Sequence, residues 1–144
     1  MSATAVLDEK LIVRARVTEL FDEFFGRVDR AESVADLLTE DSRFRGVQGR
    51  AEVTELLLGL AKKRAGNGRT SRHFSSNVRI DRLDDTRYRV RALVVILSLD
   101  TRPDAVGELV TDDHDDIVEI DADGVCRFAE QNTTRAFQLG VSAR

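Results

Sequence analysis

The sequence predicts an α+β domain in which three N-terminal helices pack on a curved, mainly antiparallel sheet and close it over one pocket. Three observations carry that expectation. Up to about Gly66 the apolar residues recur at three- and four-residue steps, as in amphipathic helices; after Gly68 the period is that of extended chain; and the links between extended segments are short, so neighbours should pair antiparallel. The chain has 144 residues, 42% of them hydrophobic, enough for one sizeable core, and residues 1–144 are expected to form a single domain.

Val6, Val13, Val17, Leu20, Phe21, Phe24 and Val28 trace the buried stripe of one long helix, with Arg14, Arg16, Glu19 and Asp22 on its wet face. Ser33 and Asp36 resemble a capping pair, and with Val34, Leu37 and Leu38 they predict a second helix of about two turns. Ser42–Phe44 reads as a brief strand, and Gly46 and Gly49 bracket a turn. Val53, Leu56, Leu57 and Leu60 mark a third helix, which Gly66, Asn67 and Gly68 stop. Strands are expected near Ser71–Leu83, Tyr88–Leu99, Glu108–Asp121 and Val125–Phe137. Their turns fall at Asp84–Asp85, around Pro103 and Gly107, and at Asp123–Gly124, and Gly140–Arg144 forms a loose tail.

Residues Leu93 to Leu99 are apolar on both faces, whereas a half-exposed antiparallel strand alternates. Either a loop or the tail covers the outer face, or a second copy of the chain does; a homodimer through the outer face of the sheet is the expectation. The 22 basic residues are interspersed with 26 acidic ones for a net charge of −4, and there is no Trp, so a nucleic-acid partner is not expected. No apolar run is long enough to span a bilayer and the N-terminus lacks a leader pattern, so a cytoplasmic protein without a membrane partner is expected. The lone Cys126 reads as a small buried hydrophobe. Gly-rich phosphate loops, GxSxG, CxxC and HExxH are absent, and the acidic run around His114 lacks a second histidine at ligand spacing. No cofactor and no metal are therefore expected.

Candidate chemistry gathers at a few positions. His73 opens a long strand directly after a helix stop; it is either a strand histidine bonded for structure or a group that takes and returns a proton near neutrality. Asp29 closes the first helix, where a carboxylate opposes the helix dipole; it is either solvated or turned inward to accept a hydrogen bond from His73. Strict alternation along Arg72–Ile80 puts His73 opposite Phe74, Val78 and Ile80, so His73 faces outward unless a bulge intervenes. Phe21, Phe24, Phe25 and Phe44 would supply apolar walls for a hydrophobic small-molecule substrate, and His114, Asp116, Gln131 or Asn132 would bind or polarise its oxygens. Arg79 and Asp81 form a short Arg-x-Asp pair expected on exposed strand.

The element order, together with Thr70-Ser71-Arg72-His73-Phe74, Ser76-Asn77, Phe24, Asp29 and Leu37-Leu38-Thr39-Glu40-Asp41, resembles the SnoaL-like branch of the nuclear transport factor 2-like superfamily over roughly Leu11 to Phe137. The resemblance implies a cone-shaped fold and a cofactor-free lyase, isomerase or cyclase of secondary metabolism acting on a polyketide- or steroid-like carbonyl compound. Asp29 and His73 stand where the branch's dehydratases carry an acid–base pair. Phe24 stands where a Tyr is common, and His114 where an aromatic residue is usual. Epoxide hydrolases and non-catalytic binding modules share the superfamily, and both remain open alternatives.

Overall fold

Ser2 turns its hydroxyl back to accept the Ala5 N–H at 3.2 Å and so starts helix α1, Ala3–Asp29. The computed structural model describes residues 2–102 and 106–142. Along α1 the buried side chains are Val13, Val17, Leu20, Phe21, Phe24, Phe25 and Val28, which follow the helical spacing; Val6, expected in the same stripe, is 38% exposed. Helix α2, Arg50–Gly66, presents Val53, Leu57 and Ala61 to the core and ends before Gly68, whose φ of 74° only a residue without Cβ adopts freely.

The second expected helix does not form. Ala35–Leu37 make one turn of 3-10 helix, and Leu38 already begins strand β1, Leu38–Phe44. The expected cap is spent elsewhere: Asp36 gives its carboxylate to Arg27 of α1, at 2.5 Å, while Val34 and Leu38 are wholly buried. Two helices, not three, pack on the sheet. That sheet continues with β2 (Val47–Gln48), β3 (Arg69–Arg82), β4 (Arg87–Asp100), β5 (Val106–Ile120), β6 (Cys126–Gln131) and β7 (Thr133–Ser142).

The strand order is β2-β1-β6-β5-β4-β3, with β7 also on β5, and the β1–β6 pair is parallel, so the sheet is mixed. The last expected strand breaks at Asn132 into β6 and β7. Residues 140–142, expected in a tail, instead pair with 106–108. The turn expected at Pro103 and residues 143–144 lie outside the described residues. No helix among the described residues is long and apolar enough to cross a membrane.

The inner face of the sheet is decided in β3. Ser76 pairs with Leu93 and Arg79 with Arg91, so β3 spends one residue more than β4 over that interval. The extra residue is absorbed at Asn77, held at φ 53°. Asparagine tolerates this left-handed backbone better than most side chains. Arg14 of α1 reaches across to donate to the Val78 carbonyl beside it, at 3.2 Å. The bulge switches parity: before it His73 points inward, in register with Ile96 and Val110, and after it Ile80 does, opposite Val90. His73 and the core-facing part of the strand thus share one face.

The core joins α1 to β4, β5 and β6. Phe128 meets Phe24 edge-on, with ring centroids 5.0 Å apart, and Phe21 at a tilt, 5.1 Å away; the ring quadrupoles favour such angled contacts. On the outer face the rows Phe74–Val95–Thr111–Phe137 and Leu97–Leu109–Leu139 cross β3, β4, β5 and β7. Phe74, Phe137 and Leu139 are each more than half exposed.

Asn77→Gly should leave stability nearly unchanged, whereas Asn77→Val should lose about 1–2 kcal/mol, because a β-branched residue resists the left-handed backbone. Urea denaturation of the two variants checks this.

Candidate active site

Asp29 is the last residue of α1, where its negative charge opposes the helix dipole. Two hydrogen bonds from one residue of β3 offset that cost. The His73 backbone N–H donates to Asp29 Oδ2 at 3.0 Å, and His73 Nδ1 lies 2.5 Å from Oδ1. Both side chains are under 10% exposed. With the carboxylate accepting Nδ1–H, the basic ring nitrogen is Nε2. The Phe25 ring lies parallel to the imidazole, 5.0 Å between centroids and 8° between planes, and fixes its orientation from one side.

A second pair stands on β5. His114 Nδ1 is 2.9 Å from Asp116 Oδ2, and Asp116 Oδ1 accepts the Asn132 backbone N–H at 2.9 Å. The bonds close because His114 and Asp116 are two apart on one strand face and because the chain breaks between β6 and β7 just where its N–H can turn inward. Asp116 is fully buried, and burial pushes its carboxyl pKa up, against the pull of His114 and the Asn132 N–H. Phe25 meets the His114 ring edge-on at 5.8 Å, so one phenyl ring touches both imidazoles.

Both histidines line one cavity of about 280 Å³, walled by Phe24, Phe25, Val28, Phe44, Leu57, Leu60 and Ile96. A larger hollow of about 410 Å³ under the N-terminal half of α1 is lined by Val6, Leu11, Ile80 and Tyr88 and contains neither histidine. Of the walls expected from the sequence, Phe24, Phe25 and Phe44 are in place. Phe21 is not; it is packed between Phe25 and Phe128. Gln131 lines the cavity, and its buried Oε1 has no hydrogen-bond partner. Asn132 sits outside the cavity wall, its side chain donating to the Asp115 carbonyl and to Glu130. Asp116 stands behind His114 and is not itself a lining residue.

Arg79 is exposed and Asp81 pairs with Arg91 at 2.6 Å on the outside of the molecule, remote from the cavity. Cys126 is half-buried and burial pushes its thiol up to about 12, which leaves almost no thiolate near neutral pH. Among the described residues no three His, Cys, Asp or Glu side chains converge where a metal could bind.

No protein-family model and no curated protein matches the sequence. Solved structures do match its shape. A candidate scytalone dehydratase from Novosphingobium aromaticivorans is 20% identical, with a TM-score of 0.78 over 96% of this chain and 93% of that one. ActVI-ORFA from Streptomyces coelicolor is 19% identical, with a TM-score of 0.72 over 86% and 95%. A hexachlorocyclohexane dehydrochlorinase, LinA-type3, from Novosphingobium barchaimii is 16% identical, with a TM-score of 0.75 over 94% of each chain. The chain has the nuclear transport factor 2-like fold.

In this nuclear transport factor 2-like chain the sequence pointed to Asp29 and His73, and the structure brings them together. It did not point to the stack of Phe25 on His73, to the direct His114–Asp116 bond, or to Arg45, Lys63, Arg64 and Arg135, which also line the cavity. The spacing of His114 and Asp116 could have signalled the second pair. The arginines carry no such signal, because exposed loops and helix ends are commonly basic.

Asp29→Ala should cost about 1–3 kcal/mol in urea denaturation, because it leaves the inward His73 backbone N–H without an acceptor. A thiol reagent at pH 8 should leave Cys126 of the native protein largely unmodified and label it on unfolding; equal rates in both states would contradict the raised pKa.

Proposed function

We propose that this chain is a SnoaL-like, cofactor-free lyase or isomerase that moves a proton on a small cyclic carbonyl compound of the polyketide kind. The observation that carries the reading is two buried Asp–His pairs opening on one mostly apolar cavity. Support comes also from the neighbours: a dehydratase and a dehydrochlorinase both describe eliminations.

His73 Nε2 takes the proton from the carbon beside the carbonyl, and Asp29 stabilises the imidazolium that results. The electron pair of the broken C–H bond forms the C=C bond as the β C–O bond breaks. The leaving oxygen takes its proton from His114 Nε2, while the hydrogen bond between His114 Nδ1 and Asp116 holds the ring in place. Water is released, and the proton on His73 returns to His114 through solvent. Gln131 Oε1 accepts a hydrogen bond from a substrate hydroxyl. A volume of about 280 Å³ lies at the lower end of ligand pockets and suits one or two rings better than a steroid nucleus.

Incubation with cyclic β-hydroxy ketones, followed by mass spectrometry, should show loss of water. Asp29→Asn, His73→Ala and His114→Gln should each lower turnover by about 10²- to 10⁴-fold. Unchanged turnover in His73→Ala would overturn the proposal. Retained ligand without product, in the unmodified protein, would favour a binding module instead. Epoxide hydrolysis is the weaker reading, since Asp81 is engaged with Arg91 outside the cavity.

We propose also that a second copy of the chain covers the outer apolar rows containing Phe74, Leu97, Phe137 and Leu139. Sedimentation at micromolar concentration should show a species larger than 16.1 kDa that Leu97→Glu with Phe137→Glu dissociates. A wild-type monomer would exclude it.

A further inference from the structure

The wall of the His73 cavity is more basic than the molecule that contains it. The chain carries a net charge of −4, yet Arg45, Lys63, Arg64 and Arg135 all line this one cavity, and Asp112 is the only carboxylate among the lining residues. Asp112 is already taken, at 3.1 Å from Arg135 Nε. Arg45, Lys63 and Arg64 make no ion pair among the described residues, although exposed arginines elsewhere on the sheet and its turns are commonly paired, as at Arg82, Arg87, Arg89 and Arg91.

Arg64 is the most telling of the three. It is partly buried near the C-terminal end of α2, where burial and the neighbouring Arg45 both work against its charge and only Asp29, already bonded twice to His73, works for it. A guanidinium stays charged under such conditions, so the site keeps a cation whose solvation is reduced and whose donors meet no protein acceptor among the described residues. Arg45 is held at φ 49°, a conformation uncommon for a residue with a side chain, and its guanidinium lies 5.0 Å from the centre of the Phe44 ring, another wall of the same cavity.

We propose that the natural ligand of this cavity is a cyclic compound bearing a carboxylate, which Arg64 and Arg45 grip at the mouth while the ring reaches His73 and His114. This names the substrate of the acid–base site described above and rests on that reading only for the word substrate. The carboxylate supplies the counter-charge that Arg64 lacks, and the planar fork of a guanidinium matches it in two parallel hydrogen bonds. The apolar wall formed by Phe24, Phe25 and Leu57 takes the ring. Anchoring the acid group at one end fixes which ring carbon lies against His73, and the same cations favour the negative charge that develops on the carbonyl oxygen.

The probes are naphthoate and naphthamide, alike in shape and different in charge, titrated calorimetrically against the full chain. Naphthoate should bind about 10- to 100-fold more tightly, the range for hydrogen bonds between charged groups. Arg64→Gln should abolish most of that preference, Arg64→Lys should keep part of it, and Lys62→Gln, which removes an equal charge outside the cavity, should keep all of it. The imidazole NMR signals of His73 and His114 should shift on naphthoate addition. Asp29→Asn should retain the preference even where turnover is lost, so failure of the catalytic reading and failure of this one are separable. Equal affinity for the two probes, a preference unchanged in both Arg64 variants, or no binding of either probe would overturn the proposal.

Discussion

A strand turns successive side chains to opposite faces, so without the extra residue at Asn77 the fourteen-residue β3 would bury either Ile80 or His73, but not both. Every other feature of the site presupposes that His73 is on the inner face. Asp29 can reach it only there, Phe25 can stack on it only there, and the cavity it shares with His114 exists only there. The bulge is itself supported by α1, through Arg14 and the Val78 carbonyl, so the helix that contributes the carboxylate also helps to set the strand that contributes the imidazole.

That double role explains how a polar pair persists in apolar surroundings. An isolated buried carboxylate would be costly, but Asp29 accepts from both a backbone N–H and a ring nitrogen of the same residue. Asp116 repeats the solution with His114 and the Asn132 N–H, using a break between two strands where Asp29 uses a helix end. The two pairs differ in depth. Asp29 retains slight exposure, whereas Asp116 is fully enclosed and correspondingly reluctant to ionise.

Much of this was legible in the residue order. The periodicity of Val13 to Val28 and of Val53 to Leu60 located both helices, and the extended run after Gly68 located the long strands, because one buried face imposes a repeat on the chain. Asp29 and His73 stood out because each is an awkward residue for its place. The second helix was misjudged because Ser33 and Asp36 carry the pattern of a cap, while the stronger claim on Asp36 comes from Arg27, nine residues earlier and visible only once the chain is folded. The side of the sheet that His73 faces was likewise open, since a bulge leaves no periodic trace. The basic residues around the cavity looked like ordinary solvated surface, and only their convergence from the β1–β2 turn, α2 and β7 gives them meaning.

The parallel phenyl ring of Phe25 has a further implication for what would remain if the imidazole of His73 were cut away. Asp29 would still be held in place by the main chain of the same residue, and the gap in front of it would be a flat slot, aromatic on one side and acidic at its back. Such a slot has the outline of a free heteroaromatic base, so added imidazole could occupy it and carry the proton as a diffusible stand-in.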